Sequence, residues 1–197
     1  MIKVSFDPKD VKICWDFANK IITERNQYDR MIKHGLSNED KTLYRIKRTF
    51  AGKLGEIAFF RYLEFLGINT GNFETMFEVF EGETNVDKFD FTTADGLTVD
   101  VKTAVFYNHK RLVVPNDQFV NMPKDFYVGV KLDVPDTITD YNDNFLANSI
   151  VSAYICGYTD YKTLENIRVS NLGEFPCRAI PLTELKDIKF LIEMFKN

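Results

Sequence analysis

The sequence predicts an α/β fold in the α+β sense, a single mixed sheet flanked by helices. Three observations carry that expectation. The patterns run helix, helix, several strands, helix. The second helical pattern turns apolar nearly all round at AFFRYLEFL, which calls for burial against something as large as a sheet. Between residues 97 and 105, Leu97, Val99 and Val101 alternate with Thr98, Asp100 and Lys102, the period-two pattern of a half-buried strand.

Asp7-Pro8 reads as an N-cap followed by proline at the first helical position. Val11, Trp15, Ala18 and Ile22 then recur at helical spacing, so the first helix is expected to run to about residue 33, with His34-Gly35 ending it. Ser37 to Asp40 reads as a loop and cap. The second helix presents Leu43, Ile46, Phe50, Leu54 and Ile57 on one face, and Gly67 stops it. Within the ambiguous stretch 68–88, MFEVF at 76–80 reads as a strand. A hairpin follows, with strands at 88–93 and 97–105 joined by a tight turn in which Gly96 takes a positive φ. Arg111–Val114, Phe126–Leu132 and Ile150–Tyr158 are further strands, and 133–148 is a loop or short helix. Thr159–Ile167 is a short helix, and Thr183 caps a last helix with Leu185, Ile188, Ile192 and Phe195 inward.

At 197 residues, with 45% hydrophobic residues and 18 phenylalanines, the chain is expected to form one domain with a sizeable core. A net charge of -4 argues against broad electrostatic nucleic-acid binding but leaves room for a local basic stripe. Cys14, Cys156 and Cys177 are odd in number and far apart, so neither a zinc site nor a disulfide scaffold is expected, and a reducing cytoplasm is the simplest compartment. The N-terminus lacks an apolar signal core, and no apolar run approaches a membrane span. No GxxxxGK[ST] loop appears, so no nucleotide cofactor is expected. His34 and His109 are the only histidines, which argues against a histidine-centred site.

The residues that bear chemistry lie around the hairpin. Folding it about Asp95 sets Asp90 opposite Asp100, and Lys102 shares the face of Asp100. Two acids and a lysine on one patch are costly unless a cation or ligand joins them. Oxygen ligands of this kind suit Mg²⁺, with Mn²⁺ as a substitute, and the Val101 carbonyl is a further ligand candidate. Lys102 would orient or help deprotonate a water, or stabilise developing phosphate charge. Read alone, Asp100-Val101-Lys102 is an ordinary exposed polar face. Glu56 lies where the helix becomes apolar, a place where a carboxylate seldom sits unpaired. Its plain alternative is a salt bridge to Lys53 or Arg61. Gly52 and Gly55 each cost the helix about 1 kcal/mol against alanine, which implies a packing or functional reason, and Gly52 leaves space for another backbone beside Glu56.

Glu on an early helix, then Asp, then Asp-x-Lys across a hairpin resembles the PD-(D/E)XK nuclease superfamily. The likeness covers about residues 50–105, with Asp90 as the first acid and Asp100-Val101-Lys102 as the final motif. Phe89 stands where the family often has proline. Asp87 is a rival first acid but falls on the opposite strand face. The resemblance implies a restriction-endonuclease-like core, a central mixed sheet with a buried helix behind it. It also implies Mg²⁺-dependent hydrolysis of DNA phosphodiester bonds. The expected catalytic residues are Glu56, Asp90, Asp100 and Lys102, with Glu56, Asp90, Asp100 and the Val101 carbonyl as metal ligands. Residues 1–40 would be an N-terminal helical extension, 41–135 the catalytic core, and 136–197 the strand and helix that complete it. Gln118 falls where some members carry an auxiliary glutamine.

Lys41, Arg45, Lys47, Arg48 and Lys53 form an acid-free run leading into Glu56, a candidate phosphate-binding stripe whose alternative is a solvated helix face. His109-Lys110-Arg111 follows the Asp-x-Lys strand and is expected to track the DNA backbone. Tyr107 and Phe106 are candidates for base stacking, although aromatics beside a strand are usually core. The expected partners are DNA and a second copy of the chain, with no membrane. The alternatives are a catalytically inactive nuclease-fold module that binds nucleic acid, and a structural protein whose acids form surface ion pairs.

Overall fold

The computed structural model describes residues 1–24, 38–71, 73–77, 90–139, 141, 150–172 and 175–196. Its elements in chain order are β1 (Ile2–Ser5), α1 (Pro8–Thr23), α2 (Asn38–Phe65), β2 (Phe91–Thr92), β3 (Thr98–Ala104), β4 (Arg111–Pro115), α3 (Asn116–Asn121), β5 (Phe126–Leu132), β6 (Ser152–Asp160), α4 (Tyr161–Glu165), β7 (Ser170–Asn171), β8 (Pro176–Pro181) and α5 (Ile188–Lys196). Short 3₁₀ turns cover Phe73–Phe77 and Leu182–Glu184. The molecule is mixed α/β.

The main sheet has the order β1-β6-β5-β3-β2. Among the described residues its only parallel pairing is β3 with β5, and the remaining neighbours run antiparallel. A smaller antiparallel sheet has the order β4-β8-β7. One face of the main sheet buries Val99, Val101, Val128, Val130 and Ile155 against α1 and α2. The opposite face carries Tyr127, which joins Leu112, Val114, Phe119, Leu164 and Ile180 in a second cluster under the small sheet. Asp100 pairs with Tyr127 across β3 and β5, so Asp100 and Lys102 lie on this second face.

Helix α2 is the buried element that the sequence demands. Phe50, Leu54, Ile57, Phe59 and Leu63 are fully buried. Phe59 meets Phe91 of β2 edge to face at 5.2 Å and Phe195 of α5 at 5.9 Å. Gly67 ends the helix with φ 73°, and the Ile68 amide donates back to the Leu63 carbonyl at 3.0 Å. The close approach falls at Gly55 rather than Gly52, and a side chain makes it rather than another backbone. A Cβ at Gly55 would overlap Thr103 Oγ1 of β3, whereas one at Gly52 meets nothing within 4 Å.

Several expectations need correction. Helix α1 is capped by Asp7, whose side chain accepts from the Lys9 amide, but it ends at Thr23. Residues 25 to about 33, over which it was expected to continue, and the His34-Gly35 stop lie outside the described residues. The N-terminal segment is not purely a helical extension, because β1 pairs with β6 as an edge of the main sheet. The strand expected at 76–80 is a 3₁₀ turn through Phe77, with 78–80 outside the described residues. Among the described residues the first hairpin strand covers Phe91–Thr92, with 88–89 outside them. The last helix starts at Ile188 rather than at a Thr183 cap, with the Asp187 carboxylate accepting from the Lys189 amide at 3.0 Å. Leu185 therefore lies before the helix, where it packs over Gly129 and Gly157. Asp160 caps α4 through the Thr163 amide. In the 133–148 stretch, the described residues Asp133–Thr139 and Tyr141 are not helical.

Candidate active site

The hairpin brings Asp90, Asp100 and Lys102 together. Its turn closes through Thr93 N–H to the Leu97 carbonyl at 2.9 Å, with Gly96 at φ 80°. Phe91 pairs with Val99 and Thr92 with Thr98, and continuing that register by one residue sets Asp90 opposite Asp100. The Asp90 amide still donates to the Val99 carbonyl at 3.0 Å, and one step further along β3 the Asp90 side chain takes the place of a backbone acceptor. Asp90 Oδ2 accepts the Val101 amide at 2.6 Å. A strand residue's N–H and C=O leave on the same edge, so the Val101 carbonyl faces the Asp90 side of β3. Lys102 Nζ sits 2.5 Å from Asp100 Oδ2 and donates to Gln118 Oε1 at 3.1 Å. Gln118 is carried by α3, which covers the same face of the sheet as Asp100 and Lys102.

Glu56 comes from α2, behind the sheet. Lys53 Nζ holds its Oε2 at 2.5 Å and also donates to the Met76 carbonyl at 3.0 Å, beneath the rings of Phe17 and Phe77. The salt-bridge alternative for Glu56 is thus realised, with Lys53 rather than Arg61 as the partner. Arg61 instead clamps the buried Asp10 of α1 through Nε at 2.8 Å and Nη2 at 2.6 Å.

Charges in this cluster strain one another. Burial holds the Asp90 carboxyl well above the usual carboxylate range, and Glu56 and Asp100 push it the same way. The Val101 amide and Lys102 oppose that rise. At Lys102 desolvation works against the ammonium, but Asp100, Asp90 and Glu56 outweigh it and the net shift is upward. Lys124, just ahead of β5, was missed by the sequence reading. Burial pulls its ammonium down; Asp100 opposes that shift and Lys102 adds to it. Its Nζ donates to the Met122 carbonyl at 2.7 Å. The available signal was its place two residues before the strand that pairs with β3.

The donor set is all oxygen, which fits a small hard divalent cation. At the β2 edge of β3 the Asp90 carboxylate lies close enough to Asp100 and Glu56 to feel both charges. Among the described residues, no three His, Cys, Asp or Glu side chains form a group that could hold a metal ion.

The expected basic contacts divide. Arg45 and Arg48 are half-buried on α2. Lys53 is buried at 7% exposure and bound to Glu56, so it is no surface phosphate contact. Lys47 is buried as well, donating to the Tyr141 carbonyl at 2.6 Å. His109, Lys110 and Arg111 are exposed just beyond β3, and Tyr107 stands with them. Phe106 is core, packed on Tyr141 at 4.7 Å. Asp87, the rival acid, lies outside the described residues.

Cys14, Cys156 and Cys177 are free thiols. Among the described residues, no helix is long and apolar enough to cross a membrane. No protein-family model matches the chain, and neither does any curated protein or solved structure.

Proposed function

We propose that this protein is a Mg²⁺-dependent deoxyribonuclease of the restriction-type or phage and repair endonuclease kind, built on a restriction-endonuclease-like core. One observation carries the reading: Asp90, Asp100 and Lys102 converge on adjacent strands, with Asp90 on the Val101 amide and Lys102 between Asp100 and Gln118. Asp90, Asp100 and the Val101 carbonyl would hold the ion, and Glu56 would orient it or hold a second. When bound, Mg²⁺, or Mn²⁺ in its place, supplies Lewis-acid polarisation and charge neutralisation at the scissile phosphate. Lys102 points its ammonium at the charge that develops on the phosphate and orients the attacking water. Gln118 fixes the direction of that ammonium. Arg45, Arg48, His109, Lys110 and Arg111 are the proposed DNA contacts. Cutting both strands of a duplex needs two sites, which favours a homodimer. The three free cysteines support a reducing compartment, the cytoplasm.

The test uses purified protein, supercoiled plasmid and Mg²⁺. Wild type is expected to nick or linearise the plasmid, and Asp100→Ala and Lys102→Ala to lose that activity by two or more orders of magnitude, in the range set by removal of one stabilising donor. Equal cutting by the variants contradicts the reading. A second reading, a catalytically inactive module that binds nucleic acid, is favoured by the two lysine pairings that already satisfy Glu56 and Asp100. It predicts binding without Mg²⁺-dependent cleavage.

A further inference from the structure

The loop that leaves β3 is exposed yet heavily braced. Val105 and Phe106 are buried at 2% and 3% exposure, whereas Tyr107 is 58% exposed. The His109 amide donates to the Phe106 carbonyl at 2.8 Å and closes a β-turn with Tyr107 at its tip. The Val105 amide donates to His109 Nδ1 at 3.3 Å. Beneath the turn, Lys131 of β5 gathers three carbonyls on one ammonium, those of Val105 at 3.2 Å, of Phe106, and of His109 at 3.4 Å. Lys131 pairs with Ala104, the last residue of β3, so the brace is built into the sheet. Burial pulls that ammonium down to about 8. An exposed loop held this firmly presents its outward side chains in a fixed position, which lowers the entropy cost of binding a ligand there.

Those outward side chains share one chemistry. Lys110 Nζ lies 5.0 Å from the centre of the Tyr107 ring, and Lys110 and Arg111 are exposed beside it. An aromatic face beside cations is a stacking platform for an unpaired base with its phosphates neutralised. A base pair stacked inside a duplex offers no free face to such a ring; only the end pairs do, and a long duplex probe keeps those few. At about 3.3 Å per residue, Tyr107 lies within about 17 Å of Lys102 along the chain. We infer that Tyr107 stacks on an unpaired nucleobase of the substrate, with Lys110 and Arg111 on the flanking phosphates, so that the preferred DNA carries a single-stranded segment next to the cut. This inference rests on the nuclease reading and names the substrate class for that site.

The test is fluorescence anisotropy in EDTA, which permits binding without cleavage. The probes are a blunt duplex, the same duplex with a single-stranded overhang, and that overhang with one abasic position. Wild type is expected to bind the overhang more tightly than the blunt duplex. Tyr107→Leu is expected to lose about fivefold to a hundredfold on the overhang and nothing on the duplex. Tyr107→Trp should retain the preference, and an abasic position should erase the difference between wild type and Tyr107→Leu. Equal binding of the overhang by wild type and Tyr107→Leu overturns the inference. So does a loss that is the same on duplex and overhang, or one that persists against the abasic probe. Mg²⁺-dependent cleavage that ignores Tyr107 leaves the nuclease reading standing and sinks this inference alone. Failure of wild type to bind or cut any of the probes removes both. Melting curves for each variant check that the exposed substitution leaves the fold intact.

Discussion

Asp90 is a half-buried residue whose desolvated carboxyl has Asp100 and Glu56 close by, and that conflict has a measurable consequence. In the folded protein the carboxyl keeps its proton to higher pH than in the unfolded chain. The folded state therefore binds more protons across that interval, and its stability falls as pH rises from about 3.9 through the raised value. Asp90→Asn keeps an acceptor for the Val101 amide and removes the charge. In EDTA at neutral pH it is expected to melt above wild type, by about 2–4 °C for each kcal/mol of repulsion relieved. A lower melting temperature for Asp90→Asn at every pH would contradict this account. Lys53 makes the opposite case, since its side chain is 8% exposed and holds Glu56 at 18%. Lys53→Met removes that acid's lysine partner and is expected to lower stability in urea unfolding, with part recovered in the Lys53→Met, Glu56→Gln double variant. Because Lys53 is buried, its loss should leave the salt dependence of DNA binding unchanged. The run from Lys41 to Lys53 read as a surface stripe because charge alone carries no information about which side of a helix packs. The aromatic rings over Lys53 come from Phe17 and Phe77, which sequence spacing does not place there.

At the scale of elements, the α2–β3 contact sets the position of Glu56 relative to the hairpin. Thr103 occupies the space where a Gly55 side chain would be, and its Oγ1 lies 3.4 Å from the Gly52 carbonyl. Gly55→Ala is expected to destabilise by about 1–3 kcal/mol through overpacking, despite alanine's better helix propensity. Combining it with Thr103→Ala should restore part of the loss; a Gly55→Ala protein as stable as wild type would refute the close approach. The long elements were legible because their periods are strong: α2 from its apolar run, and β3, β5 and β6 from their alternation or β-rich stretches. Among the short ones, β4 and α4 were read from a β-rich run and a short helical pattern, but others were not. Strands β1 and β7 and helix α3 span four, two and six residues, too few for a period to show. Strand β8 was missed as well, because its six residues begin and end in proline, which reads as a turn signal.

For the whole molecule, the hairpin arithmetic was readable because the turn between Thr93 and Leu97 is local and fixes the register. Glu56 and Gln118 were named through the family resemblance, but their distance from the hairpin in space required the tertiary fold. Glu56 comes from a helix on one face of the sheet and Gln118 from α3 on the other, so no spacing in sequence relates them to Lys102. The small sheet and α3 close over the face that carries Asp100 and Lys102, which is how a charged strand face becomes a partly desolvated site. Such a site concentrates electrostatic effects that water would screen on an open surface.

The central claim is that these carboxylates share a divalent ion, and thermal melting with added Mn²⁺ or Mg²⁺ tests it most directly. Wild type is predicted to gain stability as the ion is titrated, about 2.7 kcal/mol at a hundredfold excess over the dissociation constant, reversed by EDTA. Asp90→Asn and Asp100→Asn are predicted to lose that response. A wild-type melting temperature indifferent to either ion, or variants that respond as wild type does, would contradict it.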